Sequence, residues 1–175
     1  MHDQMLMTLH IRFSRSHGAH PALDGAAASC CLRTTTTTIN MSLTIQSQNK
    51  VFEGVLTKYS FRSKVLGGLE AKMNVFLPES ANAGHKVPVL YFLSGLTCTE
   101  DNAAQKGHFF EAAAKEQLAI VFPDTSPRGA NIPGEEDSWD FGTGAGFYVN
   151  ATKEPWNKYY NMYDHVLKEI PQLIA

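Results

Sequence analysis

Apolar side chains never run unbroken for the roughly 18 positions that a bilayer-spanning helix needs, so no segment of this sequence reads as a membrane span. Neither sign of charge dominates. There are 15 basic and 17 acidic residues, a net charge of −2, and nothing in that balance steers the chain toward nucleic acid or an anionic membrane. Cysteine is scarce: Cys30, Cys31 and Cys98 make no disulfide framework and fit a reducing compartment, from which we expect a cytoplasmic protein. What is present belongs to a globular chain, with 43% apolar residues in 175, enough for one domain with a core. A neutral or small soluble partner suits this charge balance.

Residues 1–40 differ in character from the rest. They contain AAASCC and then five threonines, Thr34 to Thr38, and such biased runs bury little apolar surface against an ordering cost of about 1–2 kcal/mol per residue. We expect a disordered or spurious extension here, with Met41 as an alternative start and the folded domain within residues 41–175. Arg12, Arg15 and Arg33 among serines are only weakly similar to an organelle-targeting segment, because Asp3 and Asp24 interrupt them. His2, His10, His17 and His20 match no metal-ligand spacing.

The central stretch is VPVLYFLSGLTCTEDN, residues 87–102. Its first half, short and β-rich, predicts a strand over 89–93 buried on both faces. Gly95 then lets the backbone turn so that the Leu96 amide points into a cleft. Thr97 with Glu100, or Asn102 with Gln105, has the spacing of a capped helix start. In α/β proteins a strand, a glycine turn and a helix in this order form the place where ligands and developing anions are held.

Upstream, residues 55–65 alternate, with Lys58, Arg62 and Lys64 on one face and Tyr59, Phe61 and Val65 on the other. Gly67 and Gly68 supply a tight turn into a second strand over 69–77, an antiparallel hairpin ending at Pro78. Downstream, a short helix over 99–105 stops at Gly107, a second covers 108–117, and LAIVF, residues 118–122, is another buried strand closed by Pro123. Residues 124–155 show little regular pattern, and a loop of that length is functional or disordered. Its aromatic content argues against disorder. The run GTGAG at 142–146 lacks the lysine and helix of a phosphate cradle, so packing beneath a pocket is the better reading. Residues 157–174 put Tyr159, Tyr163, Val166, Leu167, Ile170 and Ile174 on one face of a sheet-covering helix, bent or stopped near Pro171, with His165 expected at the surface.

LSGLTCTEDN, PDTSPRG and SWDFGTGAGFYVNAT together closely resemble the S-formylglutathione hydrolase (esterase D) family, serine thioesterases of the α/β-hydrolase fold, from about Lys50 onward. The resemblance implies the N-terminal portion of an α/β-hydrolase sheet, an antiparallel hairpin followed by parallel strands with covering helices. It implies a small-molecule substrate, S-formylglutathione, no cofactor and no metal, and a homodimer for a full-length member. In such enzymes one oxyanion donor lies after the third strand, and Leu96 N–H occupies that position. The bare pattern alone reads equally as a glycine turn that ends a strand. Gly95 and Cys98 would lie beside the substrate, although a free cysteine is as often a small buried hydrophobe. Trp139, Asp140 and Phe141 would line or support the acyl pocket, or pack beneath the long loop.

No G-x-S-x-G occurs, and Ser94, Ser126 and Ser138 lack its flanking glycines, so we expect the chain to be truncated before the nucleophile elbow, to lack the triad and to be inactive alone. Two alternatives stay open: a broad carboxylesterase, or a non-catalytic isoform that binds partners through an exposed sheet edge. In that fold the strand at 89–93 would lose one neighbour, leaving a poorly soluble or partly molten chain unless something else pairs with its edge.

Overall fold

A computed structural model describes residues 9–11 and 42–174. Six strands form one mixed sheet in the order β1-β5-β6-β4-β3-β2. They are β1 (Leu9–Ile11), β2 (Thr44–Val51), β3 (Gly54–Arg62), β4 (Glu70–Pro78), β5 (Val87–Tyr91) and β6 (Ala119–Pro123). The expected hairpin is β3 with β4, antiparallel in unbroken register from Gly54↔Pro78 to Arg62↔Glu70. Its connection is a seven-residue loop, 63–69, rather than a two-residue turn, and Ser63 and Leu66 are buried within it. β5 and β6 run parallel, and β6 pairs antiparallel with β4 on its other side. Pro88 is tolerated in β5 because pairing with β6 begins only at Val89↔Ala119, so its missing N–H faces no partner there.

β2 has no counterpart among the sequence expectations. TIQSQNKV is polar on both sides and exposed along seven of its eight positions, as an edge strand can be, so it carries none of the alternation that marks a half-buried strand. Leu9–Ile11 lie inside the segment expected to be disordered or spurious and pair with β5; residues 1–8 and 12–41 lie outside the described residues.

A single turn, α1 (Glu79–Asn82), follows β4, and the later helices cover both faces. On one face α2 (Glu100–Lys106) and α3 (Phe110–Lys115) bury Ala104, Phe110, Ala113 and Ala114 against Phe76, Ile120 and Phe122. On the other, Met162, Val166, Ile170 and Ile174 pack on Met73, Val75, Val89, Ala119 and Val121. The alternation of Ala119 and Val121 against Ile120 and Phe122 is the period-2 signature of a strand buried on both faces.

The final helix departs from expectation in three ways. It begins at α4 (Met162–Asp164), so Tyr159 lies outside it; Tyr163 is exposed; and it widens into a π turn at His165–Glu169 before α5 (Ile170–Ile174). A proline ring clashes with the carbonyl four residues back and offers no N–H, and the wider turn just before Pro171 removes that clash without ending the helix. His165 is not at the surface. It is 1% exposed, stacked against Phe61, with Nδ1 2.6 Å from Glu169 Oε2. Ser63 donates to the same oxygen at 2.5 Å, and the Lys64 and Val65 amides donate to Oε1 at 2.7 and 3.3 Å. Burial works against the Glu169 charge, yet these donors hold its pKa below the ordinary value. An ionised carboxylate only accepts, so Nδ1 carries the proton.

Candidate active site

The turn that follows β5 is tied down residue by residue. Ser94 is buried, and its carbonyl accepts the Tyr148 hydroxyl at 2.7 Å. Thr97 donates its N–H to Gly144 O at 2.8 Å from a φ of +64°, a conformation that costs a β-branched residue energy and that persists only where the surroundings impose it. The Cys98 carbonyl accepts twice, from Thr125 Oγ1 at 2.5 Å and from Arg128 Nη2 at 3.1 Å. Arg128 is itself fixed by a two-point pairing with Asp124, Nε to Oδ2 at 2.7 Å and Nη2 to Oδ1 at 2.9 Å. That pairing raises the guanidinium pKa above its ordinary value.

Between these anchors, Leu96 is half-buried and its N–H has no acceptor among the described residues. Gly146 lies against it: a Cβ there would stand 3.4 Å from Leu96 N and from Gly95 C. The glycine run therefore serves as close backbone packing against the turn, with Gly144 N–H donating in addition to Ser126 Oγ at 2.6 Å. Gly95 is exposed beside Leu96, and Cys98 is a half-buried free thiol.

α2 starts where the turn ends. Its cap is Thr99 with Asn102, neither of the two pairs expected: Thr99 Oγ1 accepts from Asp101 N–H at 3.2 Å, and Asn102 Oδ1 accepts from Thr99 N–H at 2.8 Å. Below it, Lys58 of β3 reaches Glu100 at 2.8 Å and Asp101 at 2.5 Å, and Asn74 of β4 donates to Glu100 O and Asp101 Oδ1. Burial opposes both charges here. The hydrogen bonds win, raising the Lys58 pKa and lowering that of Asp101. At the end of β5, the Tyr91 hydroxyl is buried with no hydrogen-bond partner among the described residues, and burial alone pushes its pKa up to about 12.

Gly95, Leu96 and Cys98 thus come together at one turn. Trp139, Asp140 and Phe141 do not join them: Trp139 is 72% exposed, Asp140 accepts the Ser138 hydroxyl, and Phe141 stacks edge-on against Trp156 at 5.0 Å. Among the described residues no hydrogen bond, ion pair or ring contact links those three to the turn. The residues that hold the turn, Asp124, Thr125, Arg128 and Tyr148, lie within PDTSPRG and SWDFGTGAGFYVNAT, the motifs that carry the resemblance, but none was given a role from sequence. No cluster of metal-ligating residues occurs among the described residues.

The Esterase family model matches residues 63–175 of the chain. The chain belongs to the Esterase family. S-formylglutathione hydrolases from Mus musculus and Arabidopsis thaliana are similar to this chain at 52% and 50% identity over 134 and 126 residues. Those alignments cover 77% and 72% of this chain but 47% and 44% of the relatives, so the chain spans about half the length of the curated relatives it matches. A solved S-formylglutathione hydrolase from Agrobacterium tumefaciens superposes with a TM-score of 0.70 at 44% identity, over 74% of this chain and 46% of that one. The chain's sheet and covering helices are accordingly part of an α/β-hydrolase fold. No helix among the described residues is long and apolar enough to cross a membrane.

Proposed function

We propose that this sequence belongs to a serine thioesterase that hydrolyses S-formylglutathione to formate and glutathione, and that these 175 residues supply one oxyanion donor, the Leu96 N–H, without the nucleophile. The observation that carries this reading is the unpaired Leu96 amide at the carboxyl end of β5, in a turn whose neighbours are all fixed. In the reaction a serine oxygen attacks the thioester carbonyl, the carbon–sulfur bond breaks to release glutathione, and water then cleaves the formyl-serine ester. A preorganised amide at the position of the developing oxyanion lowers that barrier by about 2.7–4 kcal/mol. The absence of a G-x-S-x-G pattern supports the reading that the nucleophilic serine lies outside these residues. Cytoplasmic placement follows from the need for glutathione in a reducing compartment.

A fluorophosphonate probe with a formate assay tests this. The recombinant 175-residue chain is expected to take up no label at serine and to release no formate. Protein captured from its own cells with an antibody to residues 134–148 is expected to run at roughly 30 kDa, the size of a whole domain, to take up label and to cleave S-formylglutathione. Serine labelling of the short chain would overturn the division of labour. A captured protein that cleaves simple esters but leaves the thioester intact would make it a carboxylesterase. Capture of the short chain alone, unlabelled, would point to the non-catalytic isoform.

A further inference from the structure

The Leu96 N–H belongs to the peptide unit that joins Gly95 to Leu96. A peptide is flat and trans, so its carbonyl oxygen and its amide hydrogen point in opposite directions, and whatever holds Gly95 O also aims the Leu96 N–H. Crowding around Gly95 does not do this. A Cβ there would meet nothing within 4 Å, and a glycine beside a peptide makes rotation of the whole unit easy. Gly95 O accepts from Cys98 N–H at 3.2 Å, the long end of the ordinary range, so this bond holds only as firmly as residue 98 itself is held.

Residue 98 is held from its other side. Its carbonyl accepts from Thr125 Oγ1 and from Arg128 Nη2, and Arg128 is gripped at two points by Asp124. Asp124 is buried and placed by two further bonds: its N–H donates to Lys72 O of β4 at 3.1 Å, and its Oδ1 accepts from Thr125 N–H at 2.7 Å. β5 and β6 run parallel, so the turn after one and Asp124 after the other leave the sheet side by side. The bonds form an unbroken series from the ends of β4 and β6, through Asp124 and Arg128, to the Cys98 carbonyl, across residue 98 to its amide, and on to Gly95 O. The guanidinium links in that series are charge-assisted and stronger than the neutral bond from Thr125.

Resting on the reading of Leu96 as an oxyanion donor, we propose that Asp124 and Arg128 are positioning residues for the hydrolysis, acting through the backbone of residue 98 to keep the Leu96 N–H aimed at the developing charge. An aimed donor serves the tetrahedral state, where the oxygen is charged, far more than it serves substrate binding. Loosening it therefore lowers kcat and leaves KM nearly unchanged.

The test uses the whole protein of roughly 30 kDa, unaltered and with Arg128→Lys, Asp124→Asn or Arg128→Ala. Two quantities are read: S-formylglutathione turnover, and inhibition by methylboronic acid, which forms a tetrahedral anion on a serine and whose inhibition constant does not depend on the folded fraction. Arg128→Lys is expected to lower kcat about tenfold, to raise the boronate constant about tenfold and to keep KM within about twofold, short of the roughly 10²–10³ for a donor lost outright because Thr125 still holds the carbonyl. Asp124→Asn, which keeps the shape and loses the charge, should move both quantities in the same direction by less, and it carries the test if Arg128→Lys does not fold. In Arg128→Ala, millimolar guanidinium should recover part of both losses. A fall in kcat with the boronate constant unchanged would overturn the proposal, since Arg128 would then only maintain the fold, and a rise in KM with kcat unchanged would make it a substrate-binding group instead. An unaltered enzyme that releases formate but ignores the boronate would sink the donor reading itself, and the proposal with it.

Discussion

The backbone N–H of Thr97 donates to the carbonyl of Gly144 across 2.8 Å, joining the turn after β5 to a glycine run in the long loop. Two segments with no regular structure of their own thereby fix each other. The loop's far end does the same through Tyr148, whose hydroxyl holds the Ser94 carbonyl at 2.7 Å. The position of the Leu96 amide is therefore a property of the 142–148 segment as much as of β5.

Two alanine substitutions separate the roles of the glycines. At Gly142, φ is +73° and a Cβ would fall 1.9 Å from Glu135 O, a backbone atom with nowhere to go. Gly142→Ala should cost about 3 kcal/mol or more, left-handed strain added to overpacking. At Gly144 the nearest atom to a Cβ is Thr97 Cα at 3.6 Å, an ordinary contact, so Gly144→Ala should cost about 1–2 kcal/mol, from strain alone. Urea unfolding midpoints at equal slope decide it, and equal losses would show that close approach is not what the run provides.

Arg128 reports on the turn through Cys98. Arg128→Lys gives up the two-point pairing with Asp124 and the bond to the Cys98 carbonyl, leaving Thr125 as that carbonyl's one partner. The site is partly exposed, so the loss of stability should be about 1 kcal/mol. Alkylation of Cys98 by iodoacetamide, followed on its own peptide by mass spectrometry, should quicken severalfold. An unchanged rate would mean that Thr125 alone suffices.

Periodicity and composition exposed β3, β4, β5 and β6 because each buries at least one face and so must alternate or be apolar throughout. They could not expose β2, whose residues face water on both sides, nor β1, where three residues are too few for any pattern. His165 illustrates a different limit. Beside Asp164 on a helix it reads as a surface histidine, and its burial depends on Glu169 four residues on and on Ser63, more than a hundred residues away in sequence, meeting at one carboxylate. At the candidate site the turn after β5 was legible from S-G-L in strand-turn-helix context. The surrounding hydrogen bonds, which run between loops without periodicity, were not.

Lys58 was expected on a solvated face and instead ties β3 to the start of α2. Lys58→Met would leave the buried Glu100 carboxylate without its cation, for a loss of about 2 kcal/mol, less than a fully buried pair because the lysine keeps some water. Adding Glu100→Gln and Asp101→Asn to Lys58→Met should recover most of it. A triple variant no more stable than the single one would place the loss in packing of the lysine stem.

Acid should unfold this protein through Glu169 and Asp101, and the sign follows from their pKa values. Both are held below the ordinary values of 4.5 and 3.8 in the folded chain. The stability they contribute is therefore complete above those values and is lost as pH falls through the lower, folded ones. Glu111, exposed, and Asp164, half-buried and paired with the exposed Lys168, shift the same way but lie near solvent, so they add little. Glu169→Gln replaces the carboxylate by a group that cannot accept from Ser63, His165 and two amides at once, and should cost about 2–3 kcal/mol near neutral pH. It also removes one titration. Stability measured by urea unfolding from pH 7 to pH 3 should thus fall less steeply in Glu169→Gln once the pH drops below about 4.5, where the unfolded carboxyl begins to take up its proton. Parallel curves across that range would mean that Glu169 is not an ionised anchor of the 63–66 loop.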